Sequence, residues 1–175
     1  MTSIHGFSGS SRYPKPIKPG PGQESVWDYP RPPRVEPRSE RIIVRFGGEV
    51  IADSTGAVRV LETSHPPVYY LPRAAFEKGV LSPVEGTSFC EFKGRAQYFD
   101  VVAGGSVASR AAWTYPEPTQ GFEALGSRVA LYPGLMESCE IDGEQVKFQD
   151  GDFYGGWITP WITGPFKGGP GTAGW

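Results

Sequence analysis

The chain is 175 residues long with a formal net charge of −2, a size that suits one domain with arms. Its lysines and arginines are spread along the whole length, which leaves no basic face for a nucleic-acid backbone, and no apolar run approaches the roughly 18 residues of a membrane helix. Its Gly 24 and Pro 18 approach a low-complexity composition, but they crowd into the two ends and leave a middle rich in Val, Ile, Phe, Tyr and Trp.

Residues 1–23 alternate proline, lysine and glycine and cannot bury enough apolar surface to offset the entropy of ordering, which predicts a flexible arm. This stretch has no apolar core segment and no cleavage-like pattern, so no signal peptide is read and a cytoplasmic location is expected. Residues 24–38 place Trp27 and Tyr29 among prolines that favour extended backbone. They read either as an aromatic strap across the domain or as a linker with incidental aromatics.

The body, residues 39–150, opens with RIIVRF and EVIADS around Gly47-Gly48, a two-residue spacing that suits a tight hairpin. The same grammar recurs at Gly104-Gly105 and at Asp142-Gly143, so three hairpins mark out about six strands. Further strands are predicted in AVRVLE, in SFCEFKG at 88–94 and in RVALYP at 128–133. Helical signals are confined to short turns at 73–78 and 119–125. The fold class is therefore all-β: a sandwich, rolled antiparallel sheet or barrel with Pro/Gly-rich arms. Residues 151–175 carry three of the five tryptophans among glycines and prolines, and are expected to pack over this core or over that of a second copy.

The densest potential chemistry lies in Val60–Pro72, VLETSHPPVYYLP, where Pro66-Pro67 stiffen a turn that carries Glu62, His65, Tyr69 and Tyr70. Glu62 can act as a base, bind a ligand or pair with Arg59 or Arg95, and His65 can transfer a proton or pin the turn. If the strand is extended, Tyr69 and Tyr70 face opposite sides, so one packs and the other lines a pocket. Strand alternation over 88–94 sets Cys90 on the face opposite Lys93, which leaves Cys90 either reactive or packed as a small apolar residue. Lys93 beside Gly94 offers a cation for an anionic group, or is a solvated turn lysine. Trp113 and Tyr115 share one strand face and, with Trp157, can wall a flat ligand or fill the core. Cys90 and Cys139 are read as free thiols in a reducing compartment, although one disulfide also satisfies the count.

The blocks FGGEVIADS, VLETSHPPVYYLP, SFCEFKGRAQYFDV, AAWTYPEP and FYGGWITP, in that order over residues 24–175, resemble the domain of unknown function 427 family, also labelled NTP_transf_9. The resemblance implies a small bacterial-type β domain of the β-tent kind and a name that suggests nucleotidyl transfer. It carries over no catalytic residue. The residues give that label no chemistry: Asp150 and Asp152 lack the glycine-serine turn of a metal-dependent transferase, and no P-loop is present. Zinc is not expected either, because Cys90 has no second cysteine at knuckle spacing.

The leading expectation is a domain that binds an unidentified small molecule, without cofactor or metal, in a cleft lined by Glu62, His65, Tyr70, Cys90, Lys93, Trp113 and Tyr115. Two alternatives stay open: an enzyme that uses Cys90 with His65 or Glu62, and a homodimeric interaction module.

Overall fold

Alternating apolar residues and two-residue turns dictate most of the architecture in the computed structural model, which describes residues 12–151 and 154–175. The strands run β1 (Glu24–Ser25), β2 (Arg34–Pro37), β3 (Ile42–Phe46), β4 (Glu49–Ser54), β5 (Val58–Leu61), β6 (Val68–Pro72), β7 (Leu81–Cys90) and β8 (Gly94–Ala103). They continue as β9 (Ser106–Thr114), β10 (Arg128–Leu131), β11 (Ser138–Ile141), β12 (Glu144–Gln145), β13 (Lys147–Phe148), β14 (Trp157–Ile158) and β15 (Ile162–Thr163). The only helical pieces among the described residues are single 3-10 turns, at Val26–Asp28, Arg73–Ala75, Glu123–Leu125 and Pro133–Leu135. No helix among the described residues is long and apolar enough to cross a membrane.

Two sheets organise the fold. A seven-stranded sheet has the order β2-β5-β6-β10-β9-β8-β7, and a four-stranded sheet the order β12-β11-β3-β4. Every pairing within these two sheets is antiparallel, and neither closes into a barrel. The domain is all-β, as its sequence pattern predicts. Side chains alternate across each strand, so Leu71, Val101, Val129 and Leu131 of the larger sheet meet Ile42, Val44 and Ile51 of the smaller one in a common buried core.

All three expected hairpins form, between β3 and β4, β8 and β9, and β11 and β12. Both turn residues have positive φ in each case: 62° and 77° at Gly47-Gly48, 56° and 77° at Gly104-Gly105, and 48° and 81° at Asp142-Gly143, the geometry that matches strand twist. Two of these turns also meet. A Cβ on Gly47 would run into the Ala103 carbonyl, and one on Gly104 into the Gly47 carbonyl. The sheets thus touch main chain to main chain at this end.

The strand predicted at 88–94 is placed differently. β7 begins earlier, at Leu81, and the chain turns at residues 91–93 before β8 starts at Gly94. Pro83 and Gly86 obscure this strand in the sequence, but both are tolerated because β7 is an edge strand, and its register shifts between Val84 and Thr87.

Residues 24–38 are tied to β5 through Arg59, which is only 6% exposed. Its guanidinium donates to Glu36 Oε1 from Nε and Nη2 at 3.0 and 2.8 Å, and to Glu24 Oε1 from Nη1 at 2.6 Å, while the Tyr29 hydroxyl donates to the same Glu24 oxygen at 2.7 Å. Such charge-assisted bonds offset the burial of the cation. The Trp27 indole donates to the Pro165 carbonyl at 2.9 Å and packs on Trp175, which joins this stretch to the C-terminal segment.

The contact between the two turns gives a direct test. Alanine at Gly104 or Gly105 meets the same positive-φ penalty of about 1–2 kcal/mol, but a Cβ at Gly105 has nothing within 4 Å. Urea denaturation should show Gly105→Ala losing no more than that penalty and Gly104→Ala losing clearly more. Equal losses would mean that the turns do not bear on one another.

Candidate ligand-binding cleft

The seven-stranded sheet has a second apolar face, turned away from the smaller sheet. It is made by Val58, Val60, Tyr70, Ala96, Trp113, Tyr115 and Ala130, with Phe122 and Leu125 packed over one part of it. Over the rest lies a cavity of about 340 Å³ whose lining includes Glu62, His65, Tyr70, Cys90, Lys93, Trp113 and Tyr115. All seven side chains singled out in the sequence border this one space. Tyr70 comes from β6, Cys90 from the end of β7, Trp113 and Tyr115 from the end of β9 and the residue after it, and Glu62, His65 and Lys93 from the turns that follow β5 and β7.

The split of the tyrosine pair follows from strand alternation. Tyr69 enters the core between the sheets, and Tyr70 enters the cleft face. Trp157 belongs with Tyr69, at a ring-centroid distance of 5.1 Å, and does not join Trp113 and Tyr115. The turn at 91–93 is what brings Lys93 round to the same cavity as Cys90, where a continuous strand would have set them on opposite faces. This turn is held by the Thr119 amide, which donates to the Lys93 carbonyl at 3.1 Å.

Trp113 is the main wall. Its indole lies 4.6 Å from the Tyr132 ring centroid, meets Tyr70 edge to face at 6.5 Å, and donates from Nε1 to the Tyr70 hydroxyl at 3.3 Å. On its far side the backbone passes so close that a Cβ on Gly155 would overlap the indole. Tyr98, Tyr132, Gln149 and Tyr154 also line the cavity. Tyr98 and Tyr132 stand two residues from Ala96 and Ala130 on the cleft face, a period-two signal that the sequence carries. Gln149 and Tyr154 come from the segment around β13 and β14, which gives no such signal. Gln149 is 2% exposed, its side chain accepting from the Gly156 amide at 3.1 Å and donating to the Lys167 carbonyl at 2.7 Å.

The polar groups sort into two sets. At one end, His65 Nδ1 lies 3.0 Å from the Thr63 carbonyl and 3.3 Å from Glu62 Oε2, and Arg31 reaches the same carboxylate oxygen at 3.6 Å. Burial lowers the His65 pKa below its usual 6.5, against the opposing pull of Glu62 and the Thr63 carbonyl. A neutral ring carries its proton on Nδ1, facing those two acceptors, and leaves Nε2 as a bare acceptor. At the other end are Tyr70, Tyr115, Cys90 and Lys93. Lys93 Nζ sits 5.8 Å from the Tyr115 ring centroid, and among the described residues no carboxylate pairs with it. Burial raises the pKa of both phenols, so they remain protonated donors. No hydrogen bond joins Cys90 to His65 among the described residues.

A second cavity, of about 370 Å³, lies against the opposite side of β5 and β6 and is lined in part by Arg38, Arg59, Glu24 and Glu40. Its charges satisfy one another through the Arg59 and Arg38 ion pairs. In the aromatic cleft, by contrast, the Lys93 ammonium has no carboxylate partner and the Tyr115 hydroxyl no hydrogen bond among the described residues. Among the described residues no group of three His, Cys, Asp or Glu side chains is placed to hold a metal ion. Of the acid pair Asp150 and Asp152, the second lies outside the described residues.

The fold and the site thus define a small antiparallel β domain with an aromatic, polar-ended cleft on the outer face of its larger sheet. Residues 34–142, more than half of the chain, match the family described as a domain of unknown function (DUF427), NTP_transf_9, and the chain belongs to that family. No curated protein matches the chain. The matched segment contains every cleft residue from Val60 to Tyr132, whereas Gln149, Tyr154 and Gly155 lie beyond it.

Two outcomes follow from the burial of these groups. Cys139 is 1% exposed and burial alone pushes its thiol up, whereas Cys90 is a free, partly exposed thiol at the cleft. Iodoacetamide on the native protein, read by peptide mass spectrometry, should label Cys90 alone, with Cys139 reacting only after denaturation; early labelling of Cys139 would contradict the core described above. The second outcome concerns pH. Because the folded-state pKa of His65 lies below its unfolded value, the unfolded chain binds the proton more readily. Stability is then fully present above about 6.5 and falls as pH drops toward the lowered folded value. Glu36 and Glu40, whose pKa values are also lowered, act only below about 4.5. Urea midpoints between pH 7 and 5 should therefore decline in the wild type and flatten in His65→Gln, and parallel slopes would show that His65 is not held neutral.

Proposed function

We propose that this protein is a small-molecule-binding domain whose ligand occupies the aromatic cleft around the Pro66-Pro67 turn. One observation carries this reading: a single cavity of about 340 Å³, walled by Trp113, Tyr115, Tyr70 and Tyr132, also gathers Glu62, His65 and Lys93. Mostly apolar walls with a few converging polar groups are the usual form of a ligand pocket. Cys90 shares the cavity but has no hydrogen-bonded base among the described residues, so binding is the better-supported role.

Native mass spectrometry of the intact chain after gentle purification tests the proposal. The expected result is a retained small molecule on the wild type that is absent from Trp113→Ala, with the two proteins otherwise folded alike by circular dichroism. A bare wild-type mass from every expression condition, together with no thermal shift across a metabolite library, would refute it.

A further inference from the structure

Within the cleft reading, the unanswered hydrogen-bonding groups specify what kind of molecule the cavity accepts. The Tyr115 side chain is 7% exposed, lines the cavity and makes no hydrogen bond among the described residues. The only fully enclosed side-chain nitrogen or oxygen atoms without a partner among the described residues are Ser64 Oγ and Trp157 Nε1, so the Tyr115 oxygen keeps some accessible surface. Tyr70 is 1% exposed, and its hydroxyl accepts from the Trp113 indole at 3.3 Å. An indole nitrogen can only donate, so the Tyr70 phenol proton has no acceptor among the described residues.

Lys93 completes the set, its ammonium 5.8 Å from the Tyr115 ring centroid and without a carboxylate partner among the described residues. The Tyr70 and Tyr115 rings lie 6.5 Å apart. Three donors at one end of an aromatic cavity thus lack acceptors, and one of them is a cation. The cavity's carboxylate, Glu62, already has the Arg31 guanidinium as its counter-charge and lies beside the His65 Nδ1. The net demand at the Tyr70–Tyr115–Lys93 end is for negative charge and acceptor oxygens. At the other end, His65 Nε2 is a bare acceptor and calls for a hydroxyl or N–H. Trp113 and Tyr132, with ring centroids 4.6 Å apart, line the same cavity.

We infer that the cleft binds an aromatic carboxylate, its oxyanion held by Lys93, Tyr115 and Tyr70, its ring against Trp113, and a hydroxyl or N–H on the ring side donated to His65. This inference rests on the cleft being a ligand site, and it adds the sign of the ligand's charge and the residues that read it. A cation would meet Lys93 unscreened and leave both phenol protons without acceptors. A neutral flat molecule would leave the ammonium without a counter-charge.

The test holds ring and hydroxyl constant and varies the charged or polar end group. Calorimetric titration of the full chain at pH 7.5 compares 4-hydroxyphenylacetate, 4-hydroxyphenylacetamide and tyramine, which carry an anionic, a neutral and a cationic group. The acid is expected to bind about tenfold or more tightly than the amide, and the amine least tightly. In Lys93→Met the acid should lose its advantage over the amide. In Tyr115→Phe both should weaken, with melting temperatures of both variants close to that of the wild type. Amide or amine binding as tightly as the acid, or an acid preference that survives Lys93→Met, overturns the inference and leaves the cleft as a ligand site of another class. Absence of binding by all three overturns it too, and the retained-mass experiment then decides separately whether the cleft binds anything.

Discussion

The seven-stranded sheet is apolar on both of its faces, and the rest of the molecule follows from the need to bury them. Alternation along β6 puts Tyr69 and Leu71 on one side and Tyr70 on the other. The first side is closed by the four-stranded sheet, whose Ile42, Val44 and Ile141 complete a continuous core. Among the described residues no sheet of comparable width covers the other side. Phe122 and Leu125 close part of it, and the segment around β13 and β14 closes another, bringing Gln149 and Gly155 to its rim. The area left between them is the cleft. A concave aromatic surface arises here because this face of the sheet is covered by loops and a two-residue strand pair, which cannot fill the space as a full layer of strands would.

The two cavities beside β5 and β6 show how similar residues acquire different meanings. On one side Arg59 and Arg38 pair with Glu24, Glu36 and Glu40, so each of these charges has a partner and the network holds residues 24–40 to the sheet. On the other, Lys93, Tyr70 and Tyr115 have donors to spare, and His65 has an unused acceptor. Burial reinforces the contrast by keeping the phenols protonated and the imidazole neutral. Unmatched polar groups in a low-dielectric space are costly to keep, and a complementary guest is the simplest compensation.

Much of this was legible in the sequence, for local reasons. Two-residue Gly-Gly and Asp-Gly turns predict hairpins because few other residues reach positive φ at both positions, and period-two patterning assigns Tyr69, Tyr70, Trp113 and Tyr115 to their faces. Stiff prolines mark the Glu62 to Tyr70 turn as a place where side chains are held rather than scattered. The illegible features are tertiary or lie where local rules relax. Pro83 and Gly86 hide β7 because only an edge strand tolerates them, and nothing in the tryptophan-rich segment separates Trp157, which fills the core, from a residue of the cleft wall. Arg31 as the partner of Glu62 spans 31 positions of chain, a pairing that no window of sequence can show.

Trp113 differs from the other four tryptophans in a way that gives the protein an optical handle. Trp157 and Trp161 border the charge-paired cavity, and Trp27 and Trp175 pack against one another at a tilt, so Trp113 is the single indole that borders the cleft. Its ring is 8% exposed and hydrogen-bonded to Tyr70, with Tyr132 on one face. Any guest that displaces water from that space changes the polarity around one chromophore while the other four keep their surroundings. The emission of the unmodified chain thus carries a reporter of occupancy, seated by the fold itself at the wall of the cleft.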